Sequence, residues 1–196
     1  MKNIIIFGPP GAGKGTQSKL IAEKYNLKHI STGDILRKEM EEETVLGRVA
    51  KHYVEKGELV PDDVVVRIID EVIKKQKITL EYNGIVFDGF PRTEHQAKEL
   101  DELLENNKWE ITCIINITAN EEVLIKRLLK RAEIEGRVDD TEEVIRNRIK
   151  VFFKTTADVL DYYKNRNVPI IEINGELAIE EVFNEICKNL EKYFNQ

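Results

Sequence analysis

Five short apolar runs, separated by longer segments with helical periodicity, constrain the fold of this chain most strongly. The runs are rich in Ile and Val, and they cover 2–7, 28–31, 84–88, 110–117 and 168–173. Strands that are apolar on both faces are typical of a parallel sheet covered by helices on each side. We therefore expect an α/β fold in which a five-stranded parallel sheet is flanked by helices through right-handed crossovers.

The segments between these runs predict helices and two excursions. Apolar residues recur at helical spacing in 62–76, 120–132, 141–165 and 177–194. Two stretches interrupt the alternation: 31–83 looks helical without a convincing strand, and 132–140 is a short polar connection that contains a glycine. We interpret both as excursions from one domain, because 196 residues is an ordinary length for a single domain.

Composition excludes several classes of protein. The 36 acidic and 30 basic side chains give a net charge of −6, which disfavours a nucleic-acid coat protein. No apolar run approaches the roughly 20 residues that cross a bilayer, and the first run is too short for a secretory signal. Cys113 and Cys187 are too few for a disulfide framework or a four-thiolate zinc site. We expect a soluble cytoplasmic protein without nucleic-acid or membrane partners.

The first predicted strand leads directly into a glycine-rich loop. Residues 8–16 read GPPGAGKGT, and an amphipathic helix follows. In such a loop the backbone N–H groups turn toward a phosphate, the helix dipole assists, and a lysine reaches the β- and γ-phosphates. An ordinary glycine-rich turn is the alternative. The position of Lys14 directly after a framing glycine favours a phosphate loop of the P-loop NTPase type.

One position of this loop departs from the general pattern and bears on metal binding. Gly15 stands where a Ser or Thr would ligate Mg²⁺, and Thr16 comes one residue later. We therefore expect the metal to be held by phosphate oxygens, by water and by a carboxylate elsewhere. Asp88 is the candidate, because it ends an apolar strand at the edge where such sites form. A cap or turn role for Asp88 is the alternative.

Half of the ten arginines are concentrated in one short stretch of this acidic chain. Arg127 and Arg131 are four residues apart and share a helix face, whereas Arg148 flanks the apolar stripe of its helix. Arg146 projects away from that stripe and should be solvated. An arginine at a buried edge needs an anionic partner, which is either a bound phosphate or an acidic side chain such as those at 142–143.

Five motifs occur together in the order and spacing of one known family. They are GPPGAGKGTQ (8–17), STGDILR (31–37), LVPDDVV (59–65), FDGFPRT (87–93) and GRVDD (136–140). From residue 3 to about residue 183 the chain resembles adenylate kinase, of the nucleoside monophosphate kinase family. The resemblance implies Mg²⁺-dependent phosphoryl transfer between ATP and AMP, giving two ADP, by a monomer.

The resemblance also implies a division of the single domain. The core would comprise 1–30, 61–126 and 138–196, the monophosphate-binding excursion 31–60, and the lid 127–137. Only five residues separate Arg131 from Arg137, which is too few for an inserted β-lid or its zinc-binding cysteines. We therefore expect the short-lid form, with a loop that closes over ATP and with no structural zinc.

Residue roles follow from the resemblance alone. ATP would be bound by Gly11, Ala12, Gly13, Lys14, Gly15, Thr16, Arg127, Arg131 and the backbone of Leu177. AMP would be bound by Thr32, Arg37, Glu58, Leu59, Val60, Gly89, Phe90, Pro91, Arg92, Gln96, Arg137 and Arg148. The catalytic set would be Lys14, Arg92, Arg131, Arg137 and Arg148, with Asp88 holding the metal through water.

Catalysis of this reaction requires that two anionic groups be aligned and that the charge between them be neutralised. The attacking group is a phosphate oxygen that is already anionic near neutral pH, so no general base is required. We accordingly assign no chemistry to His29, His52 or His95. Gln96 remains open between two roles, because Thr93 and Gln96 also fit a capping box at a helix start.

Three other functions remain as alternatives. A UMP/CMP kinase would share the loop and the arginines, but Thr32, Thr93 and Gln96 favour adenine. A non-transferase ATP-binding module would have no reason to carry the arginines at 37, 92, 137 and 148 together. An interaction protein with a vestigial loop would not need Lys14.

Overall fold

The computed structural model describes residues 1–75, 78–137 and 140–194 and contains one five-stranded sheet. The strands are β1 (Lys2–Phe7), β2 (Lys28–Ser31), β3 (Gly84–Asp88), β4 (Ile111–Thr118) and β5 (Ile170–Asn174). Each neighbouring pair is parallel, and the order across the sheet is β2-β3-β1-β4-β5. The predicted α/β fold with a five-stranded parallel sheet is confirmed. The first three strands have the predicted bounds, β4 is shifted by one residue, and β5 begins two residues late.

Helices connect and cover the strands. They are α1 (Lys14–Tyr25), α2 (Thr32–Glu41), α3 (Val45–Val54), α4 (Asp62–Lys75), α5 (Ile78–Glu81), α6 (Glu94–Asn106), α7 (Glu121–Glu135), α8 (Glu142–Val151), α9 (Asp158–Asn165) and α10 (Ile179–Phe194). Side-chain caps begin several of them: Ser31, Thr93, Asn120 and Thr141 each accept a hydrogen bond from the backbone N–H three residues later. None of the described helices is both long and apolar enough to cross a bilayer.

The prediction of one continuous helix over 141–165 is wrong at the centre of this range. A π-helical turn (Phe152–Thr156) separates α8 from α9, and the Ala157 N–H donates to the Phe152 carbonyl oxygen five residues earlier at 2.9 Å. The Thr155 hydroxyl donates to the Val151 carbonyl oxygen at 2.8 Å within the same turn. The buried residues Ile145, Ile149, Val159 and Tyr163 keep helical spacing along the sequence on both sides of this turn, so the apolar periodicity did not reveal it.

The polar connection predicted over 132–140 begins later than expected. Helix α7 continues to Glu135 and ends at Gly136, whose φ of 63° is the left-handed conformation that favours glycine. The predicted lid (127–137) is therefore mostly helical and is not the loop that the sequence suggested. Residues 138 and 139 of the connection, like residue 76 of the predicted helix 62–76, lie outside the described residues.

Apolar side chains fill both faces of the sheet. On one face Ile5, Phe87 and Ile114 pack with residues of α4, α6 and α9, and on the other Ile4 and Ile115 pack with residues of α1, α7 and α10. Burial on both sides explains why β1, β3 and β4 are nearly continuous apolar runs, whereas the edge strands β2 and β5 are less completely buried. The strand order reverses around central β1, which opens a crevice at the carboxyl ends of the strands.

Candidate active site

A cleft of about 590 Å³ occupies this crevice. The glycine-rich loop after β1 forms its floor, and the segments after β2, β3 and β5 and the facing sides of α7 and α8 form its walls. Every residue for which the sequence predicts a nucleotide- or metal-binding role lines this one cleft, including both those predicted for ATP and those predicted for AMP. The structure thus brings together the whole predicted set, from segments that are far apart in the chain.

The glycine-rich loop curls around its own lysine. Gly11 and Gly13 have φ values of 83° and 98°, which side chains with a Cβ rarely adopt. The Ala12 N–H donates to the Pro9 carbonyl oxygen at 3.2 Å, and the Lys14 ammonium donates to that same oxygen at 2.9 Å. The loop therefore holds Lys14 at the N-terminus of α1, where the backbone N–H groups and the helix dipole favour an anion.

The surroundings of Lys14 make its ammonium ready to accept a negative partner. The pKa of Lys14 is lowered to about 8, chiefly by burial; the nearby Arg92 and Arg131 guanidinium groups contribute to this lowering, and the Asp88 carboxylate opposes it. Removing a charged amine from water without full compensation is unfavourable. A bound phosphate would supply the missing negative charge.

Asp88 lies at the floor of the cleft beside the loop. It is buried at the end of β3, and a Cβ atom at Gly15 would lie 3.6 Å from its Oδ2 atom. The described residues contain no group of three His, Cys, Asp or Glu side chains that could hold a metal. Asp88 and the Thr16 hydroxyl, which both line the cleft, are hard oxygen donors of the kind that Mg²⁺ prefers. This sparse donor set fits a metal that is bound mainly by phosphate oxygens and water.

The sequence missed His29 as a neighbour of Asp88. The His29 Nε2 atom lies 3.2 Å from Asp88 Oδ2, and the side chain is mostly buried. The contact arises because β2 pairs with β3, which places Ser31 opposite Asp88 and His29 two residues before it. Only knowledge of the strand order could have revealed this contact.

A buried carboxylate joins two of the predicted catalytic arginines. Asp140 has a fully buried side chain; its Oδ2 accepts from Arg131 at 2.6 Å and its Oδ1 accepts from Arg148 at 2.6 Å. Charge-assisted bonds of this kind fix guanidinium groups in direction as well as position. Asp140 therefore orients a guanidinium from α7 and one from α8 toward the same cleft.

The acidic partners of the arginines differ in part from those expected. Arg146 pairs with Glu142 at 2.9 Å in a largely exposed contact, which confirms that it is a surface charge. Arg148 pairs with Asp140, an acidic residue outside its own helix. Arg137, at the end of the predicted lid, pairs with Glu135 at 2.5 Å.

The opposite wall of the cleft is built around Gly89. The buried Thr32 hydroxyl and the Arg92 Nε–H donate to the Gly89 carbonyl oxygen at 2.9 and 2.7 Å. Gly89 has a φ of 77°, and a Cβ there would lie 2.9 Å from Arg92 Nη2. Arg37 folds back over the start of α2 onto Asp34, which places a second guanidinium on this wall.

The Gln96 side chain, whose role the sequence left open, is bonded within the protein at both its oxygen and its amide group. Thr93 caps α6 by accepting from the Gln96 N–H, and Gln96 Oε1 accepts from the Arg92 N–H at 2.8 Å. The Gln96 side-chain amide also donates to Asp62 at 2.8 Å, and Thr93 donates to the same carboxylate. The capping interpretation is therefore confirmed for Thr93. Gln96 nevertheless lines the cleft and is held rigidly by its two neighbours.

The segment after β5 completes the cleft on the side of the glycine-rich loop. Leu177 is partly exposed and lines the cleft close to the start of α10. The Gln17 side-chain amide donates to the Ile179 carbonyl oxygen at 3.0 Å, and the Gly175 N–H donates to the Thr118 carbonyl oxygen at 2.7 Å. These bonds hold the backbone around Leu177 against the start of α1 and the end of β4.

Comparisons with known proteins agree with this geometry. A family model described as "Adenylate kinase" matches residues 6–168. The adenylate kinase of Parabacteroides distasonis is 47% identical over 186 residues, which cover 95% of this chain and 96% of that protein. The adenylate kinases of Azobacteroides pseudotrichonymphae and Flavobacterium psychrophilum are 44% and 45% identical, covering 99% and 97% of this chain and the whole of each relative. The chain, whose motifs meet in one cleft, belongs to the adenylate kinase family.

Proposed function

We propose that this chain catalyses the reversible transfer of a phosphoryl group from Mg-ATP to AMP, giving two ADP. The observation that carries the proposal is the meeting of Lys14 with the guanidinium groups of Arg92, Arg131, Arg137 and Arg148 in one cleft. A cleft that must hold the phosphate groups of two nucleotides end to end needs such a concentration of positive charge, although the chain as a whole carries −6. ATP and AMP are the substrates that the family resemblance implies.

The glycine-rich loop is the proposed site for the ATP phosphates. Residues 11–16 would surround them with backbone N–H groups, and Lys14 would contact the phosphate that is transferred. Arg127 and Arg131 line the cleft on the side formed by α7 and would contact ATP from that side. The backbone of Leu177, held by the bonds of Gln17 and Gly175, would contact the base.

The wall around Gly89 is the proposed site for AMP. Thr32 and Gln96 would contact the base, whereas Arg37 and Arg92 would hold the phosphate of AMP. The backbone of Glu58–Val60 and the segment Gly89–Pro91 would line the rest of the pocket. The support is positional, since all of these residues line the cleft: they come from α2, from the segment between α3 and α4, and from the end of β3 to the start of α6.

Charge neutralisation and alignment would provide the catalysis. The AMP phosphate oxygen is anionic already, so the protein does not have to remove a proton from the nucleophile. Arg131 and Arg148 are fixed in direction by Asp140, and together with Arg137 they would stabilise the charge that spreads over the transferring group. The preformed position of these guanidinium groups removes a reorganisation cost from the reaction.

Mg²⁺ would enter as part of the ATP complex, and Asp88 would hold it through water, near the Thr16 hydroxyl. When bound, the ion neutralises phosphate charge and fixes the phosphate geometry. The family resemblance supplies this requirement, and the hard oxygen donors at the floor of the cleft support it.

We further propose that the excursion 31–60 and the lid 127–137 move relative to the core. Closure of both would exclude water, so that AMP rather than water accepts the phosphoryl group. We also propose that the protein acts as a cytoplasmic monomer. The family resemblance supports that proposal, and Cys113 and Cys187 are free buried thiols as a reducing compartment allows.

An acceptor panel tests the proposed function. Purified protein with Mg-ATP is supplied with AMP, dAMP, CMP or UMP at equal concentrations, and ADP formation is followed. We expect AMP to be the best acceptor, because Thr32 and Gln96 present fixed polar groups in the acceptor half of the cleft. Preference for CMP or UMP would favour the pyrimidine nucleotide kinase instead. ADP formation from ATP without an acceptor would favour the ATP-binding module.

A further inference from the structure

Two consecutive residues of α8 bind backbone carbonyl groups at the end of α3. The Asn147 side-chain amide donates to the Lys56 carbonyl oxygen at 2.6 Å, and Arg148 Nη2 donates to the Val54 carbonyl oxygen at 3.3 Å. The two contacts join parts of the chain that are more than 90 residues apart. They connect the helix that carries Arg148 to the segment that leads into the proposed AMP pocket.

The segment after α3 is also in close contact with α8 at Gly57. Gly57 has a φ of 69°, and a Cβ atom there would lie 2.8 Å from the Val144 carbonyl oxygen and 3.1 Å from Arg148 Cγ. A side chain at this position would push the end of α3 away from α8. Gly57 therefore permits a contact that the Asn147 bond then fixes in register.

The contact between α8 and the segment after α3 affects the position of one wall of the proposed AMP pocket. The Gly57 and Glu58 N–H groups donate to the Val54 and Tyr53 carbonyl oxygens, both at 3.0 Å, so the turn that follows α3 is itself rigid. Residues 58–60 come directly after this turn and line the cleft. A shift of the Lys56 carbonyl group would therefore move this wall relative to Arg148.

We propose that Asn147 is a positioning residue for AMP. By binding the Lys56 carbonyl oxygen, it holds the wall 58–60 at the distance from Arg148 that the AMP pocket requires. Asn147 is not one of the described residues that line the cleft, so it acts on the AMP pocket only through this backbone contact. The inference rests on the proposed function, because it assumes that AMP occupies this half of the cleft.

Substitution of Asn147 with Asp tests the proposal with the least change in shape. The variant retains the side-chain outline but places an oxygen against the Lys56 carbonyl oxygen, and Asn147→Ala removes the contact without adding charge. Loss of one hydrogen bond of ordinary strength corresponds to about a 3- to 10-fold change in an equilibrium. We expect KM for AMP, and the Kd of AMP measured by calorimetry, to rise by about that factor in both variants. KM for ATP should stay within about twofold.

The matched control is Asn107→Asp. Asn107, the residue that follows α6, also donates from its side-chain amide to a carbonyl oxygen, that of Leu103 at 2.8 Å, and it does not line the cleft. This variant should leave both KM values unchanged. An unchanged KM for AMP in the Asn147 variants, or an equal rise in both KM values, would overturn the proposal. Failure of the proposed function itself would appear differently, as an absence of AMP-dependent turnover in the unmodified protein.

Discussion

Replacement of Arg148 by alanine is expected to lower kcat by about 10³- to 10⁵-fold, the range attributed to a single arginine that neutralises charge in phosphoryl transfer. Arg148 is mostly buried at the cleft and is held in direction by Asp140. Its proposed role is to stabilise the transferring group, so the loss should appear mainly in kcat. Initial rates of ADP formation at saturating Mg-ATP and AMP measure the effect.

Arg146 provides a matched control two residues earlier on the same helix. Its exposed ion pair with Glu142 contributes little to the stability of the protein, and Arg146 does not line the cleft. The Arg146→Ala variant should therefore retain nearly full activity. Thermal unfolding of both variants separates catalysis from folding, since Asp140 keeps Arg131 as a partner when Arg148 is lost. Equal kinetic effects of the two substitutions would refute the assignment of Arg148 to the catalytic cleft.

Replacement of Lys14 by methionine should produce the second large effect. The side chain keeps its length and apolar portion but loses the ammonium group that would contact the ATP phosphates. Removal of one preorganised donor to a developing charge typically lowers the rate by about 10²- to 10³-fold. We expect a fall of at least this order in kcat/KM for ATP, measured against varied Mg-ATP at saturating AMP. Lys98→Met, at an exposed lysine paired with Glu94, is the control and should behave like the unmodified protein.

The pH dependence of ATP binding gives this prediction a separate signature. The Lys14 ammonium has a pKa of about 8 because burial disfavours its charged form, and bound phosphate would raise that pKa again. Above pH 8, ATP binding must therefore take up a proton, and the affinity should fall as pH rises through 8. Calorimetry in buffers of different ionisation enthalpy measures the uptake. The Lys14→Met variant should lack the proton uptake that Lys14 causes. An equal proton uptake in that variant would contradict the assignment.

The central strands of the sheet could be predicted closely because they are buried on both sides. Strands β1, β3 and β4 are nearly continuous apolar runs, and the bounds of β1, β2 and β3 agree with the prediction residue for residue. The end of β4 and the start of β5 shift by one or two residues, where apolar character no longer distinguishes a strand from its flanks. The π-helical turn at Phe152–Thr156 could not be predicted, since it leaves the apolar periodicity intact.

The composition of the cleft could be predicted from motifs, but its internal contacts could not. Residues from distant segments line one cleft as expected. Asp140 as the shared partner of two arginines, and His29 as the neighbour of Asp88, depend on which helix ends and strands lie side by side. Spacing along the chain suggested the acidic residues at 142–143 for Arg148, because a sequence shows neighbours on one helix and not contacts between two.

Stoichiometry observed by ³¹P NMR tests most directly whether this cleft aligns two nucleotides and transfers a phosphoryl group between them. Protein is incubated with equal amounts of Mg-ATP and AMP, and the phosphorus signals of ATP, AMP, ADP and inorganic phosphate are followed together. We predict that two ADP appear for each AMP consumed, that the reaction also runs from ADP, and that inorganic phosphate does not accumulate. Release of inorganic phosphate in step with the loss of ATP, with AMP unchanged, would contradict the proposed transfer.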